Sequence, residues 1–169
     1  MKAKVLILMG SDSDLPVMEG TTKLLTEFNI PYHMTVSSAH RTPERTLKIV
    51  KSAQKNGIAV IIAGAGAAAH LAGVIASHTT LPVIGVPIDS SPLGGIDALY
   101  STVQMPPGIP VATMAVGKAG AKNAAIFAAQ ILGLNDSKIA ESLKDYKKKM
   151  AGEVVKKAKK VEKEEFWKH

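Results

Sequence analysis

Two short runs, Val5-Leu6-Ile7-Leu8-Met9 and Ala59-Val60-Ile61-Ile62-Ala63, are apolar at every position. A strand built from either presents an apolar surface on both sides, so both of its faces must be covered. Doubly covered strands belong to parallel sheets, whose crossover connections lay helices on each face. The rest of the chain keeps the alternation. Tyr32 to Ser37, Pro82 to Val86 and Val111 to Val116 read as further strands. Helices are expected from Asp14 or Ser13, as cap, to about Asn29, with Pro16 in the first turn. Others run from Thr42-Pro43 to about Asn56, through His70 to about Ser77, from Ile96 to Val103 and from Ala119 to Leu132. The fold class is α/β.

Ligands of such sheets sit beyond the carboxyl ends of the strands. That rule singles out four loops: Gly10–Asp14, Ser37–Thr42, Gly64–His70 and Pro87–Gly95. A chain of 169 residues is one domain in size and buries a core without staples. Residues 1–135 form the α/β body, with no internal repeat. Residues 136–169 contain no strand signal and read as a helical extension. In it Leu143, Tyr146, Met150, Val154, Ala158 and Val161 recur every three or four positions, an apolar stripe among lysines and glutamates. A neighbouring subunit is the expected cover for that stripe.

The formal charge of +7 lies mostly in this extension: Lys144 to His169 holds ten lysines against five acids. Arginine or aromatic interleaving is missing, so a solvated helix face is expected rather than a nucleic-acid partner. With no cysteine there is neither disulfide nor thiolate chemistry. The apolar run after Met1-Lys2-Ala3-Lys4 is too short for a signal peptide or a membrane span, which fits a cytoplasmic protein with no membrane partner.

Gly10-Ser11-Asp12-Ser13-Asp14 leads from a strand into a helix. Its amides and hydroxyls suit a phosphate and its acids suit ribose hydroxyls, although the same residues make an ordinary helix cap. Ser38-Ala39-His40-Arg41-Thr42-Pro43 sets a titratable ring beside a guanidinium. Histidine suits proton transfer near neutral pH, and arginine suits phosphate or carboxylate. A surface histidine beside a capping threonine is the plainer alternative. Gly64-Ala65-Gly66-Ala67-Ala68-Ala69-His70 lacks the spacing of a dinucleotide fingerprint. Its small residues imply close backbone approach, to a ligand or to a packed helix. His33, His78 and His169 lack partners and take no role, no cluster has metal-ligand spacing, and Trp167 reads as a packing residue.

These segments occur in order with the stretch from Ala63 to Gly73 and with Val103-Gln104-Met105-Pro106-Pro107-Gly108-Ile109-Pro110. Together, over nearly all of residues 3–150, they resemble the N5-carboxyaminoimidazole ribonucleotide mutase family of purine biosynthesis, close to the catalytic subunit of phosphoribosylaminoimidazole carboxylase. The resemblance implies a three-layer flavodoxin-like fold with strand order 2-1-3-4-5, assembled as a homo-octamer, without metal or cofactor. It implies an isomerase that decarboxylates and recarboxylates its nucleotide. His40 would be the catalytic acid and base, Ser11, Asp14 and Arg41 would bind the ribonucleotide, Ser38 would line the pocket and His70 would sit close by. Two departures stand out: glycine is expected at Ala67 and proline at Ala72. A second branch adds carbon dioxide directly to aminoimidazole ribonucleotide and resembles Ser-Ala-His-Lys. Arg41 after His40 favours the mutase branch. Two non-enzyme readings share the fold. A phospho-receiver needs an aspartate where this chain has Ala63, and a flavin-binding module wants aromatic loops, which the body lacks.

Overall fold

A computed structural model describes residues 2–162. Trp167 and His169 lie outside the described residues. Five strands form one sheet, β1 (Val5–Met9), β2 (Tyr32–Val36), β3 (Val60–Gly66), β4 (Val83–Ile88) and β5 (Ala112–Thr113), in the order β2-β1-β3-β4-β5. Every neighbouring pair is parallel, with Val5 opposite both Tyr32 and Val60 and Ile62 opposite Ile84. The expected α/β class and strand order are those of the molecule.

The doubly apolar runs do what their pattern requires. Val5, Ile7 and Met9 join Val60, Ile62, Ile84 and Val86 in one core, beneath α1 (Leu15–Glu27) and α5 (Lys118–Gly133). Leu6, Leu8, Ile61, Ala63 and Val83 face the other way, into a core closed by α2 (Pro43–Ala53) and α3 (Leu71–Ala76). Successive side chains of one strand therefore serve two different cores, the two-residue period of a central parallel strand. A fourth helix, α4 (Ile96–Val103), lies along β4 and β5.

Several boundaries differ from expectation. The first helix is preceded by a 3-10 turn over Asp12–Asp14 that Ser11 caps, so neither Ser13 nor Asp14 is the side-chain cap. β3 continues through Gly64-Ala65-Gly66, expected to be loop, because β4 runs on to Ile88 and pairs with it there. The following helix starts after His70, at Leu71, and the intervening residues form a turn. β5 shrinks to two residues. Pro110 has no amide to give a ladder, and only one side of this edge strand has a neighbour. Beyond it the chain still bonds to β4, from Met114 N to Gly85 O at 2.9 Å and from Gly117 N to Pro87 O at 2.8 Å.

The extension is one helix, α6 (Ser137–Val161), whose first amides, at Lys138 and Ile139, donate to the Asp136 carboxylate. The stripe on it divides. Ile139, Leu143 and Tyr146 pack on the core of this same chain, and Tyr146 meets Phe28 edge to face at 5.4 Å. Beyond them Met150 is 41 %, Val154 65 % and Val161 83 % exposed. The near half thus covers the chain's own body, Lys149 and Met150 lie at its margin beside Glu27, and the stripe from Val154 onward is largely exposed.

Candidate active site

The order β2-β1-β3 reverses direction at β1, and loops leaving β1 and β3 at such a point diverge and open a crevice between them. A cavity of about 340 Å³ lies there, at the carboxyl ends of the strands. Ser11 and Asp14 reach it from the loop after β1, Ser38, His40 and Arg41 from the loop after β2, and His70 from the turn after β3. All six residues selected from the sequence line this one cavity, while His33 and His78 lie outside it.

Each loop is held by its own residues. Ser11 Oγ accepts from Ser13 N at 3.3 Å, while Asp14 Oδ2 accepts from Ser11 N at 3.0 Å, which closes a capping box. Asp14 is only 3 % exposed. Burial pushes its carboxyl above the ordinary 3.8, against backbone hydrogen bonds from Ser11 and Gly10 and the charge of Arg41, which pull the other way. In the second loop Ser37 and Thr46 share a buried hydroxyl contact at 2.8 Å that ties the loop to α2. Thr42 does not cap α2 with its side chain. Its hydroxyl donates to Ser38 O at 3.1 Å and accepts from Ser38 N at 3.0 Å, and Pro43 begins the helix. Arg41 is drawn across the crevice, its Nη2 donating to Gly10 O at 3.1 Å and its backbone N to Ser38 Oγ at 3.2 Å.

The third loop turns at Ala67, whose φ of 51° lies in the left-handed region. A residue with a Cβ is disfavoured there by roughly 1–2 kcal/mol. This is a backbone reason for glycine at that position, distinct from the ligand approach expected from the sequence. The turn delivers His70 so that its Nδ1 lies 2.6 Å from Nε2 of His40, with the ring planes at 71°. One nitrogen donates and the other accepts, the roles being set by the tautomers. One hydrogen bond thus joins the two imidazoles inside the cavity. A guanidinium and the cap hydroxyls lie on the adjoining wall.

Ser90 also lines the cavity, from the loop after β4. Sequence reasoning named that loop and passed over the residue. Only the pairing of Gly66 with Ile88 brings it to the cavity wall.

A parallel sheet in the order 2-1-3-4-5, with a polar pocket at its switch point, defines a flavodoxin-like α/β protein. The family of the AIR carboxylases matches residues 4–153. N5-carboxyaminoimidazole ribonucleotide mutase of Thermotoga maritima is 55 % identical over 159 residues, 94 % of this chain and 92 % of the relative. The enzyme of that name from Pyrococcus horikoshii is 57 % identical over 161 residues, 95 % and 90 % of the two chains. The crystal structure of Treponema denticola PurE superposes with a TM-score of 0.85 at 32 % identity, over 94 % of this chain and 98 % of that one. The chain belongs to the AIR carboxylase family.

Proposed function

We propose that this chain is an N5-carboxyaminoimidazole ribonucleotide mutase, an isomerase of purine biosynthesis that forms 4-carboxy-5-aminoimidazole ribonucleotide. One observation carries the reading: in a chain 55 % identical to a mutase of that name, two histidines meet at 2.6 Å in the crevice that Arg41 also lines.

The chemistry needs a proton carrier and a trap. A carbamate on a weakly basic amine loses carbon dioxide readily. As its N–C bond breaks, His40 gives a proton to the nitrogen and the electron pair stays there. The released carbon dioxide remains in the site. The ring carbon beside the amine is enamine-like and attacks the trapped molecule when held in line with it. The adduct carries a hydrogen on that carbon, and His40, now a base, removes it and restores the aromatic ring. The proton lent is returned, so the net reaction is an isomerisation, and no step calls for a metal or a redox cofactor. His70 supports His40 through their hydrogen bond.

Arg41, Ser11 and Ser38 bind the phosphate side of the nucleotide, and Asp14 holds ribose hydroxyls. The amides of Ala67 and Ala68 hold the migrating carboxylate, a role supported by their having no partner among the described residues. Residues 1–135 form the catalytic body and 136–169 an extension. The working assembly is a cytoplasmic homo-octamer, with the far half of α6 seated on a neighbouring subunit. No helix among the described residues is long and apolar enough to cross a membrane.

A coupled assay tests the reading with each candidate nucleotide, with and without bicarbonate. Turnover of the carbamate nucleotide without added bicarbonate is expected. Turnover of aminoimidazole ribonucleotide alone, and only with bicarbonate, would make the protein a direct carboxylase instead.

A further inference from the structure

Ser90 lies in the cavity wall, yet its hydroxyl has no hydrogen-bond partner among the described residues. Its place is not accidental. Gly66 pairs with Ile88 at the carboxyl ends of β3 and β4, so the residue two beyond Ile88 folds back over Gly66. A Cβ on Gly66 would overlap Ser90 Oγ and lie 3.1 Å from Ser90 Cβ. The glycine therefore makes room for the serine, and the hydroxyl rests at the start of the small-residue turn that runs through Ala67 to His70. The neighbouring residues hold it there. Pro87 O accepts from Gly117 N at 2.8 Å, and the Asp89 carboxylate lies against Gly117 at the amino end of α5. On the other side Ser91 Oγ donates to Asp97 Oδ1 at 2.9 Å, at the start of α4. Ser91 is engaged in holding the loop, and the Ser90 hydroxyl beside it, packed over Gly66, has no hydrogen-bond partner among the described residues.

We propose that Ser90 Oγ donates a hydrogen bond to the transferred carboxyl group and holds the carbon dioxide between release and recapture. This rests on the mutase reading above and adds a residue to it. A neutral donor fits the step. The group is an anion in substrate and product but uncharged in transit, and a fixed cation would bind the two end states more tightly than the trapped molecule between them.

The test measures leakage from the site. The stable 4-carboxy nucleotide is incubated with the full-length protein and ¹³C-bicarbonate, and label entering its carboxyl group is followed by mass spectrometry against mutase turnover. Ser90→Ala is expected to raise label exchange per turnover about threefold to tenfold, the scale of one hydrogen bond to an uncharged group. Its affinity for aminoimidazole ribonucleotide, which lacks the carboxyl group, should stay within about twofold of the wild type on the same scale. Ser91→Ala removes the Asp97 contact of the same loop and should leave exchange unchanged. Exchange by Ser90→Ala at the wild-type level would overturn the proposal. Equal exchange in both variants would also overturn it, because loosening of the loop would then be the cause. Failure of the wild type to isomerise the nucleotide is a separate result, and it would strike the mutase reading.

Discussion

His40 Nε2 and His70 Nδ1 lie 2.6 Å apart, although 30 residues separate them in sequence and they belong to different loops. Only the order β2-β1-β3 brings those loops together, since β2 and β3 flank the same strand. The contact fixes His40's ring at the nitrogen opposite its Nδ1 and leaves that Nδ1 free to reach a ligand. A single carrier that both lends and recovers a proton needs such a fixed orientation, because the two transfers occur at different atoms of one bound molecule.

Replacing His40 by Asn should lower kcat by roughly 10²–10⁴-fold, the usual contribution of a positioned acid or base. Binding of the nucleotide, measured by calorimetry, should survive, because Arg41, Ser11 and Asp14 are untouched. Near-normal turnover would remove His40 from the proton transfers.

Asp14→Asn should stabilise the unliganded protein at pH 7 while weakening nucleotide binding. The sign follows from the raised carboxyl. Its folded value exceeds the unfolded one, so the folded state holds the proton more tightly. That contribution to stability is full below the unfolded value of about 3.8 and is lost as pH rises through the folded value. At neutral pH the buried charge is therefore a cost, which Asn lacks while still accepting from Ser11 N. A higher denaturant midpoint at neutral pH is expected for the variant. The two proteins should converge as pH approaches 3.8. A variant less stable than the wild type at pH 7 would contradict this.

Ala67→Gly should also stabilise, for a backbone reason. The left-handed φ of 51° costs alanine roughly 1–2 kcal/mol, and glycine returns about 0.5–1 of that as extra chain entropy in the unfolded state. A net gain of about 0.5–1 kcal/mol is expected, seen as a higher denaturant midpoint at unchanged slope. Ala67→Val, β-branched in the same conformation, should lose stability. Equal midpoints for all three would mean that the turn relaxes without strain.

How far the sequence disclosed this molecule depends on where the deciding forces act. Strand identity was legible because it follows from apolar pattern alone: Val5–Met9 must be covered on both faces whatever surrounds it. The strand-end rule marked the loops that hold the six pocket residues, while the roles of those residues, Ser38 and His70 above all, came from the motif resemblance. Features set by long-range register were hidden. Ser11 acts as a cap only because a 3-10 turn precedes α1, and local composition does not separate Ser11 from Ser13. Gly64-Ala65-Gly66 looks like a loop until β4 extends to pair with it. Ser90 stands in a Ser-Ser pair with nothing to mark it, and only the Gly66–Ile88 pairing brings it to the cavity. In α6 one periodic stripe hides two environments, since periodicity does not record where the body beneath the helix ends.

That division of α6 gives the last prediction. Deleting Lys147 to His169 should leave the fold and the chemistry of each site intact, yet reduce the size of the particle. Tyr146 and Leu143 remain, so the edge-to-face contact with Phe28 and the packing on α5 persist. The one ion pair lost to the body among the described residues, Lys149 with Glu27 at 3.3 Å, is exposed and worth at most about 1 kcal/mol. What disappears is the exposed continuation of the stripe through Met150, Val154 and Val161. Seated on a neighbouring subunit, such side chains contribute roughly 1.5–3 kcal/mol each before the cost of ordering the helix. Light scattering should therefore show a smaller assembly, and thermal unfolding should become more dependent on protein concentration. The competing account is a loose basic segment that binds nucleic acid through its lysines, with affinity falling steeply as salt rises. An unchanged particle size, together with loss of a salt-sensitive RNA complex, would favour that account and overturn the subunit contact.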